Sequence, residues 1–324
     1  MEQPELRKIG YGEAFMGFYA LRIKEKRDYQ GKCYLVFEFA DSSGRFAGVY
    51  WGDDALSVYS ELESASVVKI QAVMNEYKGR PQIKVIKIRP ARDDEYDVAL
   101  LLPDADISRE DLAESIQNIV DTVEEPFLGE LLRYFFESGD FLSEFISAPA
   151  GKLWHGAYVG GLAEHTLNVA KICDTAANLF RLCRRDLIVS GALLHDIGKI
   201  RELSGEASFD YTVEGRLIGH IVLGERMTTE AIREIEGFPK ELADEISHLI
   251  LSHHGGTDMG SPVTPLTLEA AILHHADYME SQANAFTHVI EKEIDGGEPF
   301  SSWVKPAGRM LYLAPYRDSA EDSD

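Results

Sequence analysis

Leu187-Ile188-Val189-Ser190-Gly191-Ala192-Leu193-Leu194-His195-Asp196-Ile197-Gly198-Lys199 runs from an almost wholly apolar octet into a histidine and an aspartate side by side. The octet reads as part of a buried helix over Asp186–Asp196. A carboxylate at the end of such a helix is costly to bury unless it is paired or bound to a cation. His195-Asp196 is therefore the first candidate site, and its partners must come from elsewhere in the chain.

All ten histidines lie after residue 150. A helix from Leu162 carries an apolar stripe of Leu162, Val169, Ile172, Ala176 and Leu179, and His165 lies on that stripe. A helix over Glu245–His254 places Ile246, Leu249 or Ile250, and His253 on one face, with His254 four residues after Ile250. A helix over Leu268–Ser281 aligns Ala270, Leu273, His274 and Asp277. Four helices can thus aim His or Asp at one centre, as bundles do when they build metal sites. His248 reads as a helix-surface residue, and His275 and His288 as structural. His274 shares the face of Asp277 and is a candidate for hydrogen-bonding a ligand.

Upstream the period changes. Leu35, Phe37 and Phe39 alternate with Tyr34, Val36 and Glu38, the spacing of a strand. Strands are expected over Glu13–Lys26, Lys32–Ala40, Arg45–Trp51, Val67–Met74 and Gln82–Ile88. Asp41-Ser42-Ser43-Gly44 makes a turn, and Glu76–Pro81 joins the last two strands. A short helix over Asp53–Glu63, with Asp53 as N-cap, falls between the third and fourth strands. Five strands in this order are those of an OB-fold barrel.

The expected architecture is therefore multidomain, an N-terminal all-β OB-fold barrel followed by an all-α helical bundle. Residues 1–92 form the barrel, 93–106 an acidic linker, 107–149 a helical connecting segment, 150–317 the histidine-bearing bundle and 318–324 an acidic tail. A helix starts at Ser108, Pro126 interrupts it, and Phe127–Ile146 continues as a second amphipathic segment. The remainder to about Tyr316 is expected to be helical. The connecting segment can pack between domains or between subunits, which leaves a homo-oligomer open.

The 324 residues carry 32 Lys+Arg against 55 Asp+Glu, a net charge of −23. Taken whole, that repels nucleic acid. The charge is unevenly spread, however: residues 1–92 hold 15 basic and 12 acidic residues, or +3, and residues 93–324 hold −26. The barrel is mildly basic and the bundle carries all the excess acid. Met1–Tyr11 lacks the apolar stretch of a signal peptide, and no apolar run reaches membrane-spanning length. Cys33, Cys173 and Cys183 form no CxxC pair, which fits reduced, buried thiols in a cytoplasm and leaves no thiolate zinc site.

His165…His195-Asp196…Asp277 resembles the H…HD…D signature of the HD superfamily of metal-dependent phosphohydrolases. Four local strings are similar to those of the YhaM-type 3′–5′ exoribonucleases: Gly160–Thr166, Leu194–Lys199, Tyr211–His220 and Leu251–Gly255. So is the order of an OB domain before an HD domain. Trp154-His155-Gly156 departs from the histidine pair that the resemblance leads one to expect. The resemblance implies that His165, His195, Asp196 and Asp277 bind one divalent cation. It implies that His220, His253 and His254 add a second, with Asp196 bridging. Imidazole and carboxylate without thiolate suit Mn, Fe, Co, Ni, Zn or Mg, and the resemblance favours Mn²⁺.

Two cations can hold a hydroxide and the phosphate oxygens for in-line displacement. Lys199, one turn past the His-Asp pair, is a candidate for the scissile phosphate or the leaving oxygen, and Arg216 for the substrate backbone. In the barrel, Trp51, Tyr77, Lys78 and Arg80 are the candidates for stacking on bases and holding phosphates. The leading expectation is a metal-dependent 3′–5′ exonuclease acting on single-stranded RNA, with DNA as a further substrate. One alternative is a phosphohydrolase of small nucleotides; another is a strand-binding factor whose HD domain is only a scaffold.

Overall fold

The computed structural model describes residues 3–63, 65–77, 79–92, 94–96, 101, 107–151, 158–204, 210–294, 297–304 and 307–317. The chain divides into two compact units, one of Met1–Asp104 and one of Ala105–Ser204 with Asp210–Asp324.

The first unit contains a closed five-stranded barrel in the order β1-β2-β3-β5-β4. The strands are β1 (Ala14–Tyr29), β2 (Lys32–Asp41), β3 (Gly44–Tyr50), β4 (Val67–Tyr77) and β5 (Arg80–Pro90), with α1 (Ala55–Glu61) between β3 and β4. β1 pairs with β4 along its first half and with β2 along its second, and its register shifts between Leu21 and Ile23. Such irregularities bend a strand, which lets one strand serve two sides of a barrel. A parallel contact of β3 with β5 closes the ring. The period-2 reading holds: Leu35, Phe37 and Phe39 are buried in the barrel core, while Tyr34, Val36 and Glu38 point the other way and are only half-buried.

Two details differ from expectation. Asp53 does not cap α1. Asp54 occupies that position, and its Oδ1 accepts the Tyr50 hydroxyl at 2.6 Å in place of a helix N–H. The connection between β4 and β5 is also tighter than Glu76–Pro81, because Tyr77 pairs directly with Arg80. Gly79, at φ +75°, takes the left-handed conformation that so short a turn requires.

The second unit holds ten α-helices among the described residues: α2 (Arg109–Val120), α3 (Pro126–Phe136), α4 (Gly139–Phe145), α5 (Gly161–Leu179), α6 (Arg185–Leu194), α7 (Lys199–Glu202), α8 (Val213–Ile218), α9 (His220–Glu234), α10 (Lys240–Ser252) and α11 (Leu268–Glu293). Ser108 caps α2 by accepting the Asp111 N–H at 3.1 Å. Pro126 is the first residue of α3, where its missing N–H costs nothing. The single segment expected over Phe127–Ile146 is in fact two helices, broken where Ser138-Gly139 lowers helix propensity. Leu179, expected on the buried stripe of α5, is exposed at its end.

The chain is not helical throughout to Tyr316. Leu203–Ser204 and Asp210–Tyr211 form a two-stranded sheet, β6 and β7. Beyond α11, Phe300 bridges Tyr312 and Val304 bridges Arg309. α11 ends at Glu293, and past its C-cap Gly297 takes a left-handed φ of +76°.

α6 lies at the centre of this unit. All eight residues from Leu187 to Leu194 are buried, among α3, α5, α10 and α11. A Cβ placed on Gly191 would stand 2.5 Å from Leu249 Cδ1, so glycine is what lets α10 approach this closely. The burial of α6 carries its last turn, and the two residues after it, into the middle of the bundle.

Candidate metal centre

Each candidate ligand is delivered by a helix or a helix end. His165 lies on α5 and Asp277 on α11. His195 is the C-cap of α6, with Asp196 next in the chain, and His253 is the C-cap of α10, followed by His254. His220 opens α9 after Gly219, whose φ of +80° only glycine adopts freely.

The side chains form two groups. His165, His195 and Asp277 make one, and His220, His253 and His254 the other; within each, the ligating atoms lie within 4.8 Å of one another. His165 Nε2 is 3.2 Å from His195 Nε2 and 3.3 Å from Asp277 Oδ1. Asp196 stands between the groups. Its Oδ2 is 3.5 Å from His165 Nε2 and 3.3 Å from His195 Nε2. Its Oδ1 is 3.5 Å from His220 Nε2 and 3.6 Å from His253 Nε2. One carboxylate thus shows one oxygen to each group.

The far side of each of four rings is already engaged. Nδ1 of His165 bonds Glu280 at 2.5 Å, that of His195 the Ala192 carbonyl at 2.7 Å, that of His220 Glu202 at 3.0 Å and that of His253 the Ile250 carbonyl at 2.7 Å. Each acceptor takes the N–H on Nδ1 and so turns Nε2 inward. Asp196 Oδ1, His220 Nε2 and His253 Nε2 are buried with no hydrogen-bond partner among the described residues. Buried lone pairs left this way are costly unless something electropositive meets them. Nitrogen and oxygen donors without thiolate, two groups and a shared carboxylate fit divalent cations.

The electrostatics agree. Burial would raise the Asp196 carboxyl, but Lys199 and His195 hold it well below the usual range. Burial alone would lower the His165 imidazole, but Asp277 and Glu280 raise it to about 10, so without a cation this ring carries a proton on Nε2 as well, which a bound cation would displace. Burial pushes His253 and His254 down, keeping their lone pairs available. Lys199 Nζ lies 2.6 Å from Asp196 Oδ2, and that anion raises the buried ammonium despite its desolvation.

The remaining candidates are placed as follows. Arg216 is exposed, pairs with Asp210 at 2.9 Å and sits 5.4 Å from the Tyr211 ring centroid; no described contact joins it to the cluster. His274 donates from Nδ1 to the His253 carbonyl at 2.9 Å, so it backs a candidate ligand through its main chain. His248 Nε2 accepts the Leu266 N–H at 2.9 Å. His155 and Lys78 lie outside the described residues. In the barrel, Tyr77 and Arg80 are exposed and face each other across β4 and β5. Trp51 is exposed and stacks on Tyr34, with ring centroids 4.1 Å apart and planes at 7°, while Tyr29 meets it edge-on at 6.3 Å.

The sequence reading missed Glu202 and Glu280, which orient His220 and His165. A signal was present: each stands three residues after a candidate, Lys199 and Asp277, and so on the same helical face.

A β-barrel of OB order and a helical unit with this histidine–aspartate centre define an OB-plus-HD protein. Residues 20–91 match the OB-fold nucleic acid binding domain, and residues 162–282 match the HD domain, which implies a divalent metal. The protein called 3′-5′ exoribonuclease YhaM in Oceanobacillus iheyensis is 33% identical over 318 residues, 95% of this chain and 96% of that one. Those of Bacillus subtilis (32% over 267 residues, 82% and 84%) and Bacillus pumilus (33% over 291 residues, 89% and 90%) bear the same name. The chain belongs to the YhaM family.

Proposed function

We propose that this chain is a metal-dependent 3′–5′ exonuclease that hydrolyses single-stranded RNA, with DNA as a second substrate. The observation that carries the reading is Asp196, buried between two histidine groups with one oxygen toward each and that toward His220 unsatisfied among the described residues. The 3′–5′ polarity and the RNA substrate are supported by the relatives' names.

His165, His195, Asp196 and Asp277 would hold one cation, and His220, His253, His254 and Asp196 a second, with Mn²⁺ our choice of metal. A divalent cation there supplies positive charge for the phosphate and lowers the pKa of a water it binds toward neutrality. Lys199 keeps its ammonium at the shared carboxylate, where it can meet a phosphate oxygen or give a proton to the leaving oxygen. The Nδ1 acceptors prevent the rings from turning, so the inward geometry is set before substrate arrives. Trp51, Tyr77, Lys78 and Arg80 would hold the strand on the mildly basic barrel. We leave Arg216 a peripheral backbone contact. The three cysteines, free among the described residues, support a reducing, cytoplasmic setting. No helix among the described residues is long and apolar enough to cross a membrane.

Single strands labelled at the 3′ or 5′ end should be shortened from the 3′ terminus in Mn²⁺. EDTA should stop the reaction and added Mn²⁺ restore it. No shortening across a scan of metals sinks the proposal. Trp51→Ala should weaken strand binding by about 1–3 kcal/mol, the worth of one stacked base, and more visibly at low salt. Hydrolysis of a small aryl phosphodiester by that variant should be unchanged. If strand cleavage is unchanged as well, the strand does not stack on Trp51.

A further inference from the structure

Glu280 and Glu202 are buried or nearly so, and neither offers an oxygen to the ring of Nε2 atoms. Glu280 Oε2 accepts from His165 Nδ1 at 2.5 Å, with side-chain exposures of 5% and 2%. Its other oxygen is held by Asn168 Nδ2 at 3.3 Å from α5 and by Asn284 Nδ2 at 3.5 Å from α11. A carboxylate pinned from two helices cannot swing away from the imidazole it faces. Glu202 Oε1 accepts twice from one residue, from His220 Nδ1 and from the His220 main-chain N–H, each at 3.0 Å. Within the two groups, the other histidines with an engaged Nδ1, His195 and His253, lean on neutral carbonyls three residues earlier. Each group therefore contains one histidine backed by an anion, and a different anion serves each group.

We propose that Glu280 and Glu202 are positioning residues, each fixing one inward-facing histidine of a different cation position, so that each carboxylate governs the loading of its own position. The inference rests on the metal reading of the two groups and goes beyond it by assigning residues that touch no cation. Partners of this kind orient the ring and raise its basicity, and their loss costs about 10- to 100-fold in metal affinity.

The test is Mn²⁺ binding to the metal-depleted full-length protein, followed by calorimetry and by the paramagnetic resonance of free Mn²⁺. The native chain should bind in two events. His165→Ala marks one by weakening it selectively, and His220→Ala marks the other. Glu280→Ala should weaken the His165 event about 10- to 100-fold and leave the His220 event in place. Glu202→Ala should do the reverse. Glu280→Gln keeps an oxygen for Nδ1 but not the charge, and should fall between native and alanine. Should the alanine variant fail to fold by circular dichroism, the glutamine variant carries the test alone, with a measurable, event-selective loss. Unchanged binding in a folded Glu280→Ala or Glu280→Gln protein overturns the proposal, as does equal weakening of both events. A native chain that takes up no Mn²⁺ overturns it together with the metal reading. No RNA is present, so the result stands whether or not strands are cut.

Discussion

Asp196→Asn is expected to lower the single-turnover rate of strand shortening by about a thousandfold or more, and to destabilise the metal-depleted protein. The asparagine is the same size but keeps only one oxygen, so it removes the charge and turns an NH2 toward one of the two groups. Asp196 stands between both groups, its oxygens within 3.6 Å of His165, His195, His220 and His253. Replacing it removes the shared anion from both positions at once. The stability cost has a separate origin. Lys199 is buried with its ammonium 2.6 Å from Asp196. A buried charge whose partner is removed costs about 3–5 kcal/mol. The double variant Asp196→Asn, Lys199→Met should regain much of that stability in urea unfolding while remaining inactive. An Asp196→Asn enzyme that keeps a tenth of its rate would remove the shared carboxylate from the chemistry.

Gly198→Ala is expected to cost about 100-fold in rate and to lower the unfolding midpoint, although it adds one methyl group. The backbone at Gly198 has φ −64°, so strain is not the reason. A Cβ there would stand 2.1 Å from the His220 carbonyl oxygen and 2.5 Å from the Gly224 nitrogen. Both are main-chain atoms of α9 and have no rotamer through which to give way. The start of α9 must move, and His220 moves with it. Overpacking of this sort costs about 1–3 kcal/mol, and a displacement of about 1 Å at a reacting centre can cost about 100-fold. Gly139→Ala is the control, because a Cβ at that helix start meets nothing within 4 Å. If Gly198→Ala matches Gly139→Ala in rate and midpoint, the crossing of α7 and α9 does not fix His220.

The centre is legible in the sequence to the extent that its members break a local pattern. Asp196 follows eight residues of an almost wholly apolar run and His195, His165 sits on an apolar stripe, and Asp277 shares a face with Ala270 and Leu273. Each violates the ordinary rules of burial. The barrel is legible because Leu35, Phe37 and Phe39 keep one period over a whole strand. The residues that escape such a reading break no pattern. Glu202 and Glu280 look like ordinary polar positions on helices until the fold brings His220 and His165 against them. Asp53 and Asp54 cap a helix equally well on paper, but the N-cap position falls to Asp54, whose side chain accepts the Tyr50 hydroxyl and no helix N–H. The bridges after α11, Phe300 with Tyr312 and Val304 with Arg309, join residues at separations that no helical or strand period reveals.

α6 and α10 both end at the metal centre, with His195 and His253 as their C-caps. Aligned peptide dipoles leave roughly half a negative charge at such an end. The backbone alone therefore makes the space between the two groups favourable to positive ions, before any carboxylate is counted. α9 opposes this, because it begins at His220 and directs its positive end at the same space. Glu202 accepts that residue's N–H at 3.0 Å and offsets the opposing pole. A chain stripped of one ligand should therefore still draw cations to the centre, held less tightly and in poorer geometry.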